Sequence, residues 1–409
     1  MKAFLVGGAV RDTLLGLPVK DRDWVVVGST PNQLRSKGYQ QVGADFPVFL
    51  HPETKEEYAL ARTERKSGKG YTGFTVQFSP DVTLEQDLSR RDLTINAMAM
   101  DDAGNIVDPF NGKNDLEQRK LRHVSEAFCE DPLRVLRTAR FSARFAHLGF
   151  EIANETVNLI QQMVKNGELA TLVAERVWSE MSRALTEQSP EEYFKTLKHV
   201  GALKSIFPEL DQLFGVPQTM LWHPEVDTGI HTLKALQQAR KATSNTEILM
   251  STLCHDLGKA LTPANILPSH HGHERSGADL IRSIAKSYKW PTKVASLCED
   301  VARYHTHAHN AFNLKPATIL KLLNDLGAFR QPEQLEKFLT ACSADIQGRS
   351  GFENRSYPQA AYLKECLQAC SEVTAKPFIR DGKQGKAIGE AIYRERLRRI
   401  SDTKAAIKN

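Results

Sequence analysis

The sequence has little cysteine: six residues in 409, with no C-x-x-C pair. That excludes a zinc ribbon or a dithiol redox motif of that spacing, and reduced thiols in a cytoplasmic setting are the simplest reading. Long apolar runs are missing too. None approaches the ~18 residues of a membrane span, so no membrane partner is expected. The N-terminal stretch is apolar only over Ala3–Val6 before Gly7, Gly8, Arg11 and Asp12 interrupt it, which is not the pattern of a signal peptide. No self-similarity occurs at solenoid periods. Charge imbalance is also slight: 54 Lys and Arg against 49 Asp and Glu leave a net +5, only a weak pointer to a polyanion partner. The excess is local. Lys376–Asn409 carries ten basic against four acidic residues, a net +6. That tail reads either as solvated, partly disordered surface or as a phosphate-contacting one.

What is present fits several ordinary globular domains. The chain is long enough to bury a core without staples, and its length suggests two to four domains. The first ~125 residues read as α/β: strands at Lys2–Val6, Trp24–Val27, Pro47–Leu50 and Tyr58–Ala61, and a helix at Ala9–Leu15. Lys66–Gly73 reads as a basic, Gly-rich loop. From about Glu130 the apolar period becomes helical, at Arg134–Phe145, Glu155–Val164, Glu175–Leu185 and Glu192–Val200. A Pro- and His-bearing connection at Val216–Asp227 marks a boundary, and a His-rich helical stretch follows. The divisions are 1–125, 126–220, 221–350 and a basic helical tail, 351–409.

Gly7-Gly8-Ala9-Val10-Arg11-Asp12 joins a strand to a helix. Backbone N–H groups and the helix dipole at such a turn suit a phosphate, glycine permits close approach, and Arg11 adds a charged donor. Asp21-Arg22-Asp23 stands at the mouth of the next strand. Alternation would point Asp21 and Asp23 to one side, and two carboxylates that close need a cation between them. Mg²⁺ accepts such a pair. Farther on, Arg90-Arg91-Asp92 opens the segment Leu93–Met100. Arg134, Arg137, Arg140 and Arg144 fall within a helical arc of ~120°, opposite Val135, Leu136, Ala139 and Ala143. With no interleaved acid after Asp131 they should repel one another, and a bound polyphosphate or RNA backbone would relieve that cost.

LVGGAVRD, DRDWVVVG, RRDLTINAMA and EDPLRVLRTARFSARF together resemble the successive motifs of class II tRNA nucleotidyltransferases, the CCA-adding enzymes of the polymerase-β-like superfamily. The resemblance extends over essentially the whole chain, in the bacterial form with an HD domain. It implies an α+β fold: a polymerase-β-like nucleotidyltransferase head, then a mostly helical neck, body and HD domain. It implies Gly8 and Arg11 on the triphosphate, Asp21 and Asp23 as Mg²⁺ ligands and catalytic residues, and Arg91 on the nucleotide. Asp131 and Arg134 would read the incoming base, with Arg137 and Arg140 completing the pocket. Glu57 is the candidate for a third carboxylate. The implied substrates are tRNA, ATP and CTP. The chemistry is consistent: Asp131 can accept from an exocyclic amine while Arg134 donates to a ring nitrogen, and only cytosine and adenine offer that pair.

His231, His255-Asp256 in HDLGK, and Asp345 follow the H…HD…D order of HD phosphohydrolases, which this stretch resembles. Neutral imidazoles with carboxylates suit Ni²⁺ or another divalent transition ion that activates water. His255 and Asp256 would be catalytic, and His231 and Asp345 would complete the metal site. His305 reads as a ligand or a phosphate contact, and His270–His273 as a flexible flap rather than ligands. The implied second activity is hydrolysis of 2′,3′-cyclic phosphates and phosphomonoesters. Three alternatives stand beside this reading. A class II poly(A) polymerase generally lacks the HD domain. A decayed RNA-binding module would have lost Asp21, Asp23 or His255. A CC-adding variant lacks the flexible loop that Arg65–Gly73 supplies here. A monomer or homodimer is expected.

Overall fold

The computed structural model describes residues 1–42, 48–66, 74–221 and 223–408. They form two compact units, Met1–Ile206 and Phe207–Asn409. The expected glycine-rich loop falls almost wholly outside the described residues; only Lys66, which ends a strand, is within them.

The first unit is built on a seven-stranded mixed sheet ordered β3-β4-β5-β2-β1-β8-β9. The strands are β1 (Lys2–Val6), β2 (Asp23–Val27), β3 (Gln40–Val42), β4 (Val48–Leu50), β5 (Glu57–Leu60), β8 (Ala99–Met100) and β9 (Ile106–Val107); β6 (Arg62–Lys66) and β7 (Phe74–Phe78) pair separately. The β-branched, apolar residues Val25–Val27 of β2 fit a strand with both faces covered. Val25 packs with Val6, Leu88 and Ala97 on one side, and Val26 with Leu34, Phe49 and Leu60 on the other. Register then fixes the functional end of the sheet. β1 runs antiparallel to β2 with Val6 opposite Asp23, and β5 runs parallel to β2 with Glu57 opposite Asp23. The turn after Val6, Asp23 and Glu57 therefore stand side by side.

Helices follow where the apolar period announces them, at Leu133–Phe145, Asn154–Lys165, Ala174–Leu185 and Pro190–His199. Leu133–Phe145 packs on both of the last two. This places its buried Val135, Leu136, Ala139 and Ala143 in the core.

The second unit is helical. Thr228–Ala242, Thr246–Cys254, His273–Ser287, Thr292–His309 and Pro332–Gln347 carry the histidine-rich region. Asp227 caps the first by accepting from Ile230 N–H at 2.8 Å, and Asn245 caps the second, as N-cap preferences dictate. The basic tail is an ordered helix, Lys386–Lys408, rather than partly disordered surface. Ile400 is fully buried in the core with Phe338, Tyr362 and Leu363, and the Arg396 guanidinium lies 4.1 Å from the centre of the Phe329 ring. No helix among the described residues is long and apolar enough to cross a membrane.

Candidate functional site

A cavity of about 590 Å³ opens at the end of the sheet in the first unit. Gly7, at its base, has φ +67°, and a Cβ there would meet Arg91 Nη1 at 2.9 Å. Glycine is required both by the left-handed backbone and by the arginine packed against it. Gly7 N–H is already spent on Met98 C=O at 3.2 Å, so the helix N–H groups left for a ligand begin at Gly8. Arg11 is buried. Its guanidinium is held by Asp12 Oδ1 at 2.9 Å and Asn96 Oδ1 at 2.5 Å, over the Phe141 and Phe145 rings. Burial lowers its pKa from the ordinary arginine value, against the pull of Asp12.

Asp23 and Glu57 both line the cavity. Asp21 does not; it precedes β2, which begins at Asp23, so strand alternation does not itself align the two aspartates. Desolvation raises the Asp23 pKa above its ordinary value, with Asp21 adding to the rise and Arg91 opposing it. Arg91 Nε is buried without a hydrogen-bond partner. Its guanidinium reaches Asp87 Oδ2 at 3.3 Å.

The arginine stripe corrects the sequence reading. Its members are not an unneutralised row, because acids distant in sequence fold onto them. Arg137 Nε meets Asp92 Oδ2 at 2.8 Å, Arg140 Nε meets Glu180 Oε2 at 2.7 Å, and Arg144 Nη2 meets Asp12 Oδ2 at 2.8 Å. Arg134 donates to the carbonyls of Ala127 at 2.7 Å and Arg90 at 2.5 Å. Burial pushes the Asp92 carboxyl upward, but Arg137, Asn96 and Leu93 N–H outweigh it and hold the carboxyl well below the usual range. Arg176, which the sequence reading missed, spans both oxygens of Asp131 at 2.8 and 3.3 Å. Asp131, Arg134, Arg137, Arg140 and Arg176 all face the cavity.

In the second unit the helices Thr228–Ala242 and Pro332–Gln347 and the turn after Thr246–Cys254 bring His231, Asp345, His255 and Asp256 together. His231 Nε2 lies 3.0 Å from Asp345 Oδ1, and His255 Nε2 lies 3.1 Å from Asp256 Oδ2 and 3.7 Å from Asp345 Oδ1. All four side chains are at least nine-tenths buried. Gly258 lets the HDLGK turn reach the neighbouring helix, since a Cβ there would sit 2.0 Å from His273 C=O. Glu225 Oε1 lies 2.8 Å from His231 Nδ1, the outer-partner position that orients a metal-ligating imidazole. Asp345 also meets His309 Nε2 at 2.6 Å. Asp256 also meets Lys259 Nζ at 2.6 Å.

The expected His270–His273 flap divides. His270 bonds Thr262 Oγ1 and Pro217 C=O at 2.8 and 2.9 Å. His273 instead joins Asp256 and His305 in the interior. Burial raises the pKa values of Asp256 and Asp345, but neighbouring groups outweigh it: His255 and Lys259 hold Asp256, and His255 and His309 hold Asp345, well below the ordinary value. Burial drives His305 well below its usual value. A cavity of about 830 Å³ opens beside this cluster, lined by His273, His309, Lys259, Gln218, Arg349 and Tyr357 among others.

Residues 3–122 match the family described as "Poly A polymerase head domain", 149–214 the "Probable RNA and SrmB- binding site of polymerase A" and 228–337 the "HD domain". The chain is 57% identical over 405 residues to a multifunctional CCA protein of Thioalkalivibrio sulfidiphilus, covering 99% of each chain. It is also 57% identical to one of Hahella chejuensis, covering 97% of this chain and 94% of that one. Among solved structures, it resembles the Bacillus stearothermophilus CCA-adding enzyme in complex with CTP, with a TM-score of 0.62 at 24% identity over 98% of this chain and 89% of that one. It also resembles the Thermotoga maritima CCA-adding enzyme complexed with tRNA, with a TM-score of 0.62 at 18% identity over 99% of this chain and 91% of that one. With a nucleotidyltransferase head, a helical middle, an HD domain and near-full-length identity of this order, the chain belongs to the family of the multifunctional CCA proteins.

Proposed function

We propose that the chain adds and repairs the 3′-terminal CCA of tRNA from CTP and ATP without a nucleic-acid template, releasing pyrophosphate. The observation that carries this reading is one cavity in which Gly8, Asp23 and Glu57 stand beside Asp131, Arg134 and Arg137. The relatives' name and the nucleotide- and tRNA-bound neighbours support it.

The all-oxygen donor set of Asp21, Asp23 and Glu57 suits Mg²⁺, and the burial that raises the Asp23 pKa, with Asp21 adding to it, is a cost that a bound cation would offset. Two such ions would neutralise charge on the attacking 3′-OH and the leaving pyrophosphate oxygens. The protein's own part is positioning and electrostatics. Arg11 and Arg91 face the triphosphate with the helix N–H groups that begin at Gly8. Asp131 takes the exocyclic amine of cytosine or adenine and Arg134 the ring nitrogen. Arg176 spans Asp131, and Arg134 holds two backbone carbonyls. A base therefore enters by exchanging its own edge for some of these bonds, and Arg137 and Arg140 keep the wall rigid through Asp92 and Glu180.

The second unit is proposed to hydrolyse 2′,3′-cyclic phosphates and phosphomonoesters. Buried His255 Nε2 and Asp256 Oδ1 have no hydrogen-bond partner, and these are the atoms a metal would satisfy. His231, His255, Asp256 and Asp345 would hold it, and an imidazole-rich set suits Ni²⁺, Co²⁺ or Mn²⁺, which would activate water. A tRNA ending in a phosphate has no free 3′-OH, so clearing that end would prepare it for extension. The six cysteines are free thiols, which agrees with a cytoplasmic setting. The test is separation of function. His255→Ala should eliminate phosphohydrolysis and keep CCA addition, and Asp23→Ala should do the reverse. If His255→Ala keeps full hydrolysis with every divalent metal, the second activity falls.

A further inference from the structure

We propose that the large cavity of the second unit recognises a phosphorylated ribose, with Gln218, Arg349 and Lys259 on the phosphoryl oxygens and Gln359 on the free vicinal hydroxyl. The proposal rests on reading this unit as a phosphoesterase, and it concerns what the unit selects rather than how it cleaves.

The polar wall of the cavity carries the argument. Gln218 lines it and is only 3% exposed. Its Oε1 accepts from Lys259 Nζ at 2.6 Å, which fixes the orientation of the amide. Nε2 is the other end, and it is buried with no hydrogen-bond partner among the described residues. Lys259 Nζ also meets Asp256 Oδ2 at 2.6 Å, so one of the three N–H groups of the ammonium is left for a ligand. Arg349 lines the same cavity, and its Nε is likewise buried without a partner. Unmatched donors in a dry wall are costly, and a phosphoryl group brings the acceptor oxygens and the negative charge that would satisfy them. The charge agrees. Among the described residues that line the cavity, Lys259, Arg349 and Arg355 stand against the carboxylate of Glu274. Burial takes the pKa of His223, on the same wall, down to about 4, and the cations of Lys259 and Arg349 add to the fall.

The remaining group has the opposite polarity. Gln359 Nε2 donates to His309 C=O at 3.1 Å, which turns Oε1 the other way, and that oxygen is buried without a partner. An acceptor on a phosphate-binding wall does not suit another phosphoryl oxygen; it suits a hydroxyl. A ribose phosphate with a free neighbouring hydroxyl offers both on adjacent carbons. Both ends of the wall are tied to the buried cluster, Lys259 through Asp256 and His309 through Asp345 at 2.6 Å. The cavity, about 830 Å³, has the size of a small-molecule site rather than of a bare anion site.

The experiment measures hydrolysis by the full chain of adenosine 2′-phosphate and of its 3′-deoxy analogue, with inorganic phosphate as competitor. The parent should show a KM about tenfold lower for the compound that keeps the hydroxyl. Gln359→Leu should raise that KM to the deoxy value, with inhibition by inorganic phosphate as in the parent. Gln218→Glu keeps the oxygen that Lys259 holds but replaces the amide N–H groups by a charged oxygen. It should raise the KM of both substrates and the phosphate inhibition constant more than about tenfold. Arg349→Met, at a less buried position, should do the same, and it decides the matter if Gln218→Glu does not fold. Equal KM values for the two substrates in the parent, or an equal effect of Gln359→Leu on both, overturns the hydroxyl assignment. Unchanged phosphate inhibition in Arg349→Met and in folded Gln218→Glu overturns the phosphate wall while leaving the phosphoesterase reading intact. If the parent hydrolyses neither compound with any divalent metal, that reading falls and the proposal with it.

Discussion

Glu225→Gln is a near-isosteric change in a residue that touches no substrate and should alter metal binding in the HD unit. Glu225 has its side chain 2% exposed, with Oε1 at 2.8 Å from His231 Nδ1 and 3.3 Å from His223 Nδ1. Its Oε2 accepts from Ser350 N–H at 3.1 Å. The carboxylate stands on the Nδ1 side of the His231 ring, opposite Nε2, which lies 3.0 Å from Asp345 Oδ1. Gln keeps the shape but loses the charge, and its amide can turn an N–H toward the imidazole. Loss of such an outer partner typically costs 10–100-fold in metal affinity, or about 1.4–2.8 kcal/mol. Calorimetric titration of the metal-free chain with Ni²⁺ should show that loss at the HD centre, and hydrolysis at limiting metal should fall in parallel. CCA addition should be unchanged. An affinity within twofold of the original would refute the positioning argument and leave Glu225 as a packing residue.

Asp23→Ala should abolish nucleotide incorporation while tRNA affinity, read by filter binding, stays nearly constant; normal incorporation would sink the head assignment. Asp131→Ala would remove the proposed amine acceptor and the two hydrogen bonds that Arg176 gives it, so UTP and GTP misincorporation should rise as CTP and ATP use slows, at a cost of about 1–3 kcal/mol. If the rate alone falls, Asp131 only positions. Asp92→Asn should destabilise the fold at pH 7 by about 1–3 kcal/mol in urea unfolding. Because the folded Asp92 carboxyl is depressed, its contribution is present above the unfolded value of ~3.9 and is lost as pH falls toward the folded one. The difference between Asp92→Asn and the parent should therefore shrink on acidification, and a pH-independent difference would contradict the ion-pair account. Ile400 is buried, so deleting the tail would disturb the core. Lys376→Glu, Lys383→Glu and Lys386→Glu together, all exposed, should instead flatten the salt dependence of tRNA affinity by about 0.9 per lost phosphate contact; an unchanged slope would make the tail mere surface.

How much of this was legible follows from what each feature depends on. β2 declares itself through Val25–Val27, a β-branched run with Val25 and Val26 buried on its two faces. Arg62–Lys66 does not, because RTERK has no apolar alternation to report its pairing with β7. The head motifs name Asp23 and Asp131, but Arg176 and Glu180 lie 45 and 40 residues from the groups they pair with, and only tertiary packing supplies that proximity. In the same way, the arginine row looks unneutralised until Asp92, Glu180 and Asp12 are folded onto it. His273 is the third of three closely spaced histidines. Gly272, at φ +81°, starts the helix at His273 and turns that ring inward while His271 stays exposed; composition alone does not choose among them.

The central claim is tested most directly by incubating the protein with a tRNA ending at the discriminator base, with each nucleoside triphosphate alone and with CTP and ATP together. The account predicts two residues from CTP alone, three from CTP with ATP, and none from UTP or GTP. A long adenylate tail from ATP alone, or no extension with CTP and ATP together, would contradict it.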